Sequence, residues 1–354
     1  MRISLADRLE RMAQWLAMRN DRPVTGFTLG SYYPLHRYGG GVRRLPEGRV
    51  TPEDVFVEDY LEDTERLYRL HEEAGGDLVF AAAPFLGMPW VEASLGCGVM
   101  ADHGTGSTRS IPPPGFAQRP RVPRFSEDNP WVAKMLEFIP ALEKQSGGRY
   151  PVGVTLMRGI SDLLSALYGG EGFVLRMHDE PEEIADVVGK LCDYWIDFGR
   201  CLLSRLPDFH GGTGSFFYGL WCPGKMIWLQ EDAVALLSPA MYERFIFPAD
   251  CRIAASFENT VIHLHPSRVI PSRLLTRSNL AAIELHIDHD GPRAAALESH
   301  YRTILSAKPL FIWGDLTAED LEFVFTRLPH AGLAVNIVVP SVEEARAIWA
   351  RYFG

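Results

Sequence analysis

The sequence predicts an α/β fold, a closed (β/α)₈ TIM barrel, and three observations support this class. Short apolar runs rich in β-branched residues alternate with helix-length amphipathic stretches along the 354 residues. The alternation yields eight candidate strands and at least eight helices, a number that favours a closed parallel barrel over an open doubly wound sheet. No GxGxxG motif follows an early strand, as an open dinucleotide-binding sheet would require. We therefore expect one domain spanning residues 1–354.

The predicted elements follow from local patterns in chain order. Residues 1–23 have the apolar spacing of an amphipathic helix, and the β-branched run PVTGFTL follows. A Gly- and Pro-rich segment, 84–125, interrupts the rhythm after the second strand, because IPPPG within it suits neither a helix nor a central strand. Connections of this length are uncommon without a function, so we expect the segment to cover the barrel mouth. The predicted strands are 23–29, 77–83, 151–157, 211–217, 259–265, 281–287, 309–313 and 332–337.

The composition argues against two classes of partner, nucleic acids and membranes. The net charge is −10 and no basic run offsets it, so we expect no nucleic-acid partner. No apolar stretch approaches the length of a membrane span, and the N-terminal residues lack the continuous apolar core of a signal peptide. The five cysteines form no CxxC pair and suit free thiols in a reducing compartment. These features predict a cytoplasmic protein.

The segment VIHLHPS, residues 261–267, carries two histidines on an apolar strand. Side chains alternate between the two faces of a strand, so His263 and His265 point the same way. The active sites of (β/α)₈ barrels lie at the C-terminal ends of the strands, where these histidines are expected. Other polar or aromatic residues predicted at this end are Tyr32, Tyr33, Arg37, Arg158, Trp221, His286, Asp288, His289, Trp313, Asp315 and Asn336.

The segment GLWCPGKMIWLQEDA, residues 219–233, combines aromatic residues with two adjacent acids before a helix. Glu231 and Asp232 cannot both point inward from a strand, so at most one of them is expected to act in the site. One interpretation is helix capping by Asp232 or Ser238. The other is a substrate platform with Trp221 and Gln230 lining it and an acid as ligand or general acid.

Several stretches resemble the uroporphyrinogen decarboxylase superfamily, which includes zinc- and corrinoid-linked methyltransferases. The resemblance covers nearly the whole chain, and the segment around residues 229–253 is the most specific part of it. IHLHPS lies where the methyltransferase branch has H-x-C-G, so His263 matches a zinc ligand and His265 replaces a cysteine. The later cysteine ligand near the last strand is absent. The stretches concerned are RPVTGF, EASLGCGV, LQEDAVALLSPAMYERFIFPADCRI, IHLHPS and KPLFIWGDL.

The resemblance implies a barrel enzyme of methyl transfer, linked to a corrinoid carried on a partner protein and acting on a small molecule. It implies zinc at His263 and His265, with His286, Asp288 or Glu231 completing the ligand set. The alternative is a site without metal, in which the two histidines bind a carboxylate or phosphate of the substrate. The residues expected to be catalytic are Glu231, Asp232, His263 and His265. Those expected to bind substrate are Tyr32, Tyr33, Arg37, Trp221, Gln230, His286, Asp288 and Asp315.

Two alternatives remain open from the sequence. The first is a cofactor-free decarboxylase of a carboxylated substrate, although the loop GSYYPLHRYGGG supplies only Arg37 where the decarboxylase branch has several arginines. The second is a non-catalytic ligand-binding barrel. The resemblance implies a monomer or a homodimer, for which the apolar stretches MIWLQ and YWIDF are candidate contacts.

Overall fold

A six-stranded parallel sheet forms the centre of the molecule in the computed structural model, which describes residues 3–215, 219–266 and 270–354. The strands are β1 (Val24–Leu29), β2 (Gly48–Val50), β3 (Gly98–Asp102), β4 (Ser107–Ile111), β5 (Gly212–Ser215), β6 (Leu220–Pro223), β7 (Met226–Gln230), β8 (Asn259–Leu264), β9 (Ala282–Ile287), β10 (Leu310–Gly314) and β11 (Leu333–Val339). The central sheet has the order β1-β11-β10-β9-β8-β7, so its neighbours are consecutive along the chain apart from β1. Five predicted strands, those near 23–29, 259–265, 281–287, 309–313 and 332–337, are confirmed.

Helices follow most of the strands, as the alternating sequence pattern predicts. Within the described residues, none of them combines the length and the apolar composition that crossing a lipid bilayer requires. The α-helices are α1 (Leu5–Leu16), α2 (Pro34–Arg37), α3 (Leu61–Ala74), α4 (Trp90–Ser94), α5 (Pro130–Ser146), α6 (Ile160–Tyr168), α7 (Gly172–Asp179), α8 (Pro181–Arg205), α9 (Pro239–Met241), α10 (Phe247–Ala254), α11 (Ser272–Leu275), α12 (Glu298–Leu305), α13 (Ala318–Arg327) and α14 (Val342–Phe353).

The predicted strands near 77–83 and 151–157 make single bridges rather than a continuous ladder. Ala82 bridges to Val152, and Val154 bridges to Ser215. Arg158 then bridges to Gln230 at the end of β7. At the other edge of the sheet, the backbone N–H of Asp77 donates to the Thr25 carbonyl of β1 over 2.7 Å. The two segments therefore lie between the edge strands β1 and β7.

The region 211–230 differs from its prediction. The expected parallel strand at 211–217 is instead one arm of the antiparallel hairpin β5–β6, and its residues 216–218 lie outside the described part of the chain. The stretch MIWLQ forms β7, an edge strand of the six-stranded sheet. Both MIWLQ and YWIDF were expected as surface contacts, and this expectation was wrong, because nearly all of their apolar side chains are buried.

Helix α1 covers the N-terminal edge of the sheet. Its Trp15 is fully buried and donates its indole N–H to the carbonyl of Gly332 at 2.9 Å, just before β11. The long segment 84–125 contains α4, β3 and β4, and β2-β3-β4 form a small antiparallel sheet. The N–H of Leu35 in α2 donates to the Gly106 carbonyl, so this small sheet packs against the segment that follows β1.

Candidate functional site

Histidines and carboxylates from three neighbouring strands meet at the C-terminal edge of the central sheet. The strand register aligns Gln230 of β7 with His263 of β8, and His263 with Glu284 of β9. Because side chains two residues apart share a face, His265 and His286 extend the same row toward the strand ends. The local sequence thus produces the cluster through alternation alone, with apolar residues filling the opposite face.

Asp232, His263 and His265 converge on a common point. The Nε2 atom of His263 lies 3.2 Å from Oδ1 of Asp232, and Nε2 of His265 lies 3.6 Å from the same oxygen. The three ligand atoms lie within 4.8 Å of one another. His263 is buried, whereas Asp232 and His265 are partly exposed, so the point of convergence is reachable from solvent at this edge of the sheet.

A second layer of polar groups holds each of these three side chains. Glu284, which is fully buried, forms a short hydrogen bond with Nδ1 of His263. Asp288 accepts from Nδ1 of His265 over 2.8 and 2.9 Å. The amide of Gln230 donates to the second oxygen of Asp232. Both imidazole rings are therefore fixed with Nε2 directed at Asp232, as outer-shell carboxylates do for metal-binding histidines.

The carboxylates dominate the electrostatics of this cluster. Burial alone disfavours a charged His263 ring, but Glu284 and Asp232 outweigh it and raise the pKa of His263 to about 10. Burial also opposes the ionised form of Asp232, yet its contacts with His263 and His265 hold the pKa of Asp232 well below its usual range. The site therefore retains positive charge, either a proton or a cation that replaces it.

The donor set fits a divalent metal ion. Two nitrogen atoms and one carboxylate oxygen are ordinary zinc ligands, and three protein ligands leave a position open for substrate. Neighbouring ligands about 2.0–2.1 Å from a tetrahedral zinc ion lie about 3.3 Å apart. The separations of 3.2 and 3.6 Å match this edge length. The residues that would hold the ion are Asp232, His263 and His265.

His286 and Trp313 form one wall of the site with Tyr32. The ring centroids of His286 and Trp313 lie 4.4 Å apart, and Tyr32 stands edge-on to both rings. Burial, followed by the charges of His265 and His263, lowers the pKa of His286 to about 3, so its ring is neutral. Burial also raises the pKa of Tyr32, followed by its hydrogen bond to Tyr33. This wall presents neutral aromatic groups beside the charged cluster.

Glu231 lies outside the cluster, contrary to the catalytic role expected for it. Its buried carboxylate accepts from the backbone N–H groups of Ile160 and Ser161, over 2.6 and 2.9 Å, at the start of α6. Asp162 in that helix accepts in turn from the N–H of Ala233. Adjacent residues on a strand point to opposite sides, so Asp232 enters the site and Glu231 caps a helix. The capping expected of Asp232 is thus made by Glu231, whereas Ser238 caps α9 as expected by accepting from the N–H of Met241.

Trp221 also lies away from the site and does not line it as expected. It belongs to β6, and its indole N–H donates to the carbonyl of Phe209 over 2.9 Å. Its backbone N–H lies 3.3 Å from the sulfur of Met12 in α1. Since α1 covers the N-terminal edge of the sheet, Trp221 packs at the end opposite the histidines.

The remaining predicted residues surround the cluster at different distances. Asp315 follows β10 and lies 3.9 Å from Nδ1 of His289, whose side chain is 82% exposed. Tyr33 is exposed and stacks with Tyr32. Arg37 lines a cavity of about 30 Å³ between β1 and α3, and burial lowers its pKa to about 10.

Three residues at this end were not assigned a role from the sequence. Glu284 is the carboxylate beneath His263, and its position two residues before His286 in AIELHI could have revealed it, since both share a face. Trp313 was placed at a strand end without a role. Arg158 was likewise predicted at this end without a role, and its guanidinium pairs with the buried Glu92 over 2.8 Å.

Comparison with known proteins finds a solved structure with a similar fold. No protein-family model and no curated protein matches the sequence. A methyltransferase from Methanosarcina mazei superposes with a TM-score of 0.66 and is 15% identical, covering 98% of this chain and 99% of that chain. At this identity the likeness establishes a shared fold over the full length of both chains.

Proposed function

We propose that this protein is a metal-dependent methyltransferase related to the uroporphyrinogen decarboxylase superfamily, with zinc held by Asp232, His263 and His265. The observation that carries the proposal is the convergence of these three side chains, each held by a second polar group. The fold shared with the methyltransferase from Methanosarcina mazei supports the reaction class. It also supports closure of the central sheet into a (β/α)₈ barrel through residues 77–83 and 151–158.

The ligand set proposed here differs from the one that the sequence resemblance implies. Asp232 replaces His286 as the third ligand because its Oδ1 atom lies between the two Nε2 atoms. A zinc ion at this point would supply the Lewis acidity that activates a bound nucleophile for methyl transfer. Asp232 is a stronger candidate than the neighbouring acid Glu231, whose oxygens are committed to α6.

The protein groups around the ligands have distinct tasks in this proposal. Glu284 and Asp288 keep the two imidazole rings oriented, and the Tyr32–His286–Trp313 wall excludes water from one side. Arg158, at the end of the segment beside β7, is partly exposed and is a candidate for anchoring an anionic part of the small-molecule substrate. The methyl donor in this proposal is a corrinoid on a partner protein, as in the superfamily branch that the sequence resembles.

The proposal is tested by zinc content and methyl transfer together. Metal-free protein is reloaded with zinc and incubated with methylcobalamin and a panel of small thiols, and loss of the methylcobalamin absorbance reports transfer. We expect zinc-dependent turnover, with a loss of at least about 100-fold in His263→Ala and Asp232→Asn. His289→Ala, at an exposed histidine on the same edge, serves as the control. Turnover that persists in His263→Ala, or the absence of bound zinc, contradicts the proposal.

A further inference from the structure

We propose a second metal site directly beside the first, formed by His265, His286 and Asp288, with the His265 ring bridging the two ions. The two sets share His265 but use opposite ring nitrogens: Nε2 faces Asp232, and Nδ1 faces Asp288. The ion expected at the second site is a divalent transition metal such as zinc, because its ligands are imidazole and carboxylate groups. The inference rests on the proposed function only for the first ion and its shared ligand.

One distance in the second set resembles those of the first, and the other is that of a hydrogen bond. Nε2 of His286 lies 3.5 Å from Oδ1 of Asp288, and Nδ1 of His265 lies 2.8 Å from the same oxygen. The ligand atoms of all three residues lie within 4.8 Å of one another. A separation of 3.5 Å is long for a hydrogen bond but close to the edge of a tetrahedral zinc site, about 3.3 Å.

The hydrogen bonding of His286 supports a missing ligand. Its side chain is 4% exposed, and its Nδ1 atom finds no hydrogen-bond partner among the described residues. Its Nε2 atom has only the long approach to Asp288. A buried polar ring left this poorly satisfied is costly, and an ion bound at Nε2 would give that nitrogen the close partner it lacks, although Nδ1 would stay as it is. Asp288 can orient His265 without the nearby ring of His286. An ion shared by Asp288 and His286 accounts for the approach of this buried ring.

The charges of the cluster also favour two ions over one. Asp232, Glu284 and Asp288 bring three carboxylates into a small, largely buried volume. When both nitrogens of His265 bind metal, the ring releases its remaining proton to solvent and becomes an imidazolate. Three carboxylates and one imidazolate then carry four negative charges, which two divalent ions neutralise. Uptake of the second ion should therefore release a proton.

The number of ions per chain tests the inference. Purified full-length protein is stripped with a chelator, reloaded with Zn²⁺ alone, desalted and measured by mass spectrometry of the metal. We expect two zinc ions in the wild type and in His289→Ala, and one in His286→Ala. One ion in the wild type overturns the second site and leaves the proposed function standing. No bound ion overturns both, and two ions in His286→Ala overturn this assignment of the second site.

A titration of the wild type with Co²⁺ covers the case in which His286→Ala does not fold. The visible absorbance of bound Co²⁺ should rise to a break at two equivalents, with a change in spectral shape after the first. A single break at one equivalent contradicts the inference. The more conservative His286→Gln keeps a polar group of similar length and should bind one ion; retention of two ions in this variant contradicts the assignment.

Discussion

At the scale of single residues, each metal-ligand candidate depends on a neighbour for its orientation. His263 shows this most clearly, because the buried carboxylate of Glu284 fixes its Nδ1 atom. Glu284→Gln keeps the size of this partner but removes its charge. Zinc affinity should fall by about 10- to 100-fold while the fold persists.

Competition with a chromophoric chelator measures this change in affinity. Glu319→Gln, an identical replacement at an exposed position in α13, should leave the affinity unchanged. Equal zinc affinities in the two variants would mean that Glu284 supports only packing.

The residue scale also shows where sequence patterns reach their limit. The pairing of His263 with His265 could be predicted, because alternation along one strand decides it. Glu284 was missed since an acid within the apolar run AIELHI resembles an exposed residue unless a partner across the sheet is known. Asp232 and Glu231 could not be separated from sequence, since the phase of β7 determines which acid faces inward.

At the scale of elements, the carboxylate of Glu231 connects β7 to the start of α6. Glu231→Ala removes the acceptor of two backbone N–H groups, and we expect the free energy of unfolding to fall by about 2 kcal/mol. Glu231→Gln keeps one acceptor oxygen and should lose less.

Chemical denaturation measures these losses, and metal analysis accompanies it. Zinc content should stay at the wild-type value in both Glu231 variants but fall in Asp232→Asn, the adjacent position. A loss of zinc in Glu231→Gln without a loss of stability would show that Glu231 takes part in metal binding.

The contact of α3 with the segment after it should make stability depend on pH. Nε2 of His71 lies 2.9 Å from the carbonyl oxygen of Leu78, and burial, followed by the charge of Arg8, lowers the pKa of His71 from 6.5 to about 4. The unfolded chain therefore binds a proton here more readily than the folded one. The resulting stability is complete above the unfolded pKa and is lost as the pH falls toward about 4.

Melting temperatures at about pH 7 and about pH 5 check this expectation. The wild type should lose more degrees between the two conditions than His71→Gln, which offers an amide donor but no titrating group. Parallel losses in the two proteins would exclude His71 as the source.

At the scale of the whole molecule, the gap between β1 and β7 is bridged by close backbone approaches. A Cβ atom added at Gly153 would lie 1.9 Å from the carbonyl oxygen of Gly214, next to the bridge between Val154 and Ser215. Gly153→Ala should therefore push these segments apart and lower the free energy of unfolding by roughly 3 kcal/mol.

Gly39→Ala is the matched control, because an added Cβ atom meets nothing within 4 Å there. Denaturant unfolding of both variants tests the proposed closure. If Gly153→Ala is as stable as Gly39→Ala, the backbone approach between these segments is absent in solution.

The region between the edge strands β1 and β7 is the part of the fold that was predicted least well from the sequence. Strands β8 to β11 were found because their apolar runs are buried on both faces and are separated by helices. The region 211–230 was misjudged because the Gly-rich β5 pairs with β6 as an antiparallel hairpin, which places Trp221 at the far end of the sheet. The apolar run MIWLQ then enters the sheet, whereas its apolar composition and its tryptophan had suggested a surface contact between subunits.

The in-register pairing of His263 with Glu284 has an evolutionary consequence. Loss or gain of one residue within β8 would turn His263, and His265 just after the strand, to the outer face, away from their carboxylate partners. Insertions and deletions are therefore tolerable only in the loops beyond the strand ends, whereas single substitutions can exchange one donor atom for another. Descendants of this chain can thus acquire a different metal preference by point mutation while every strand keeps its length.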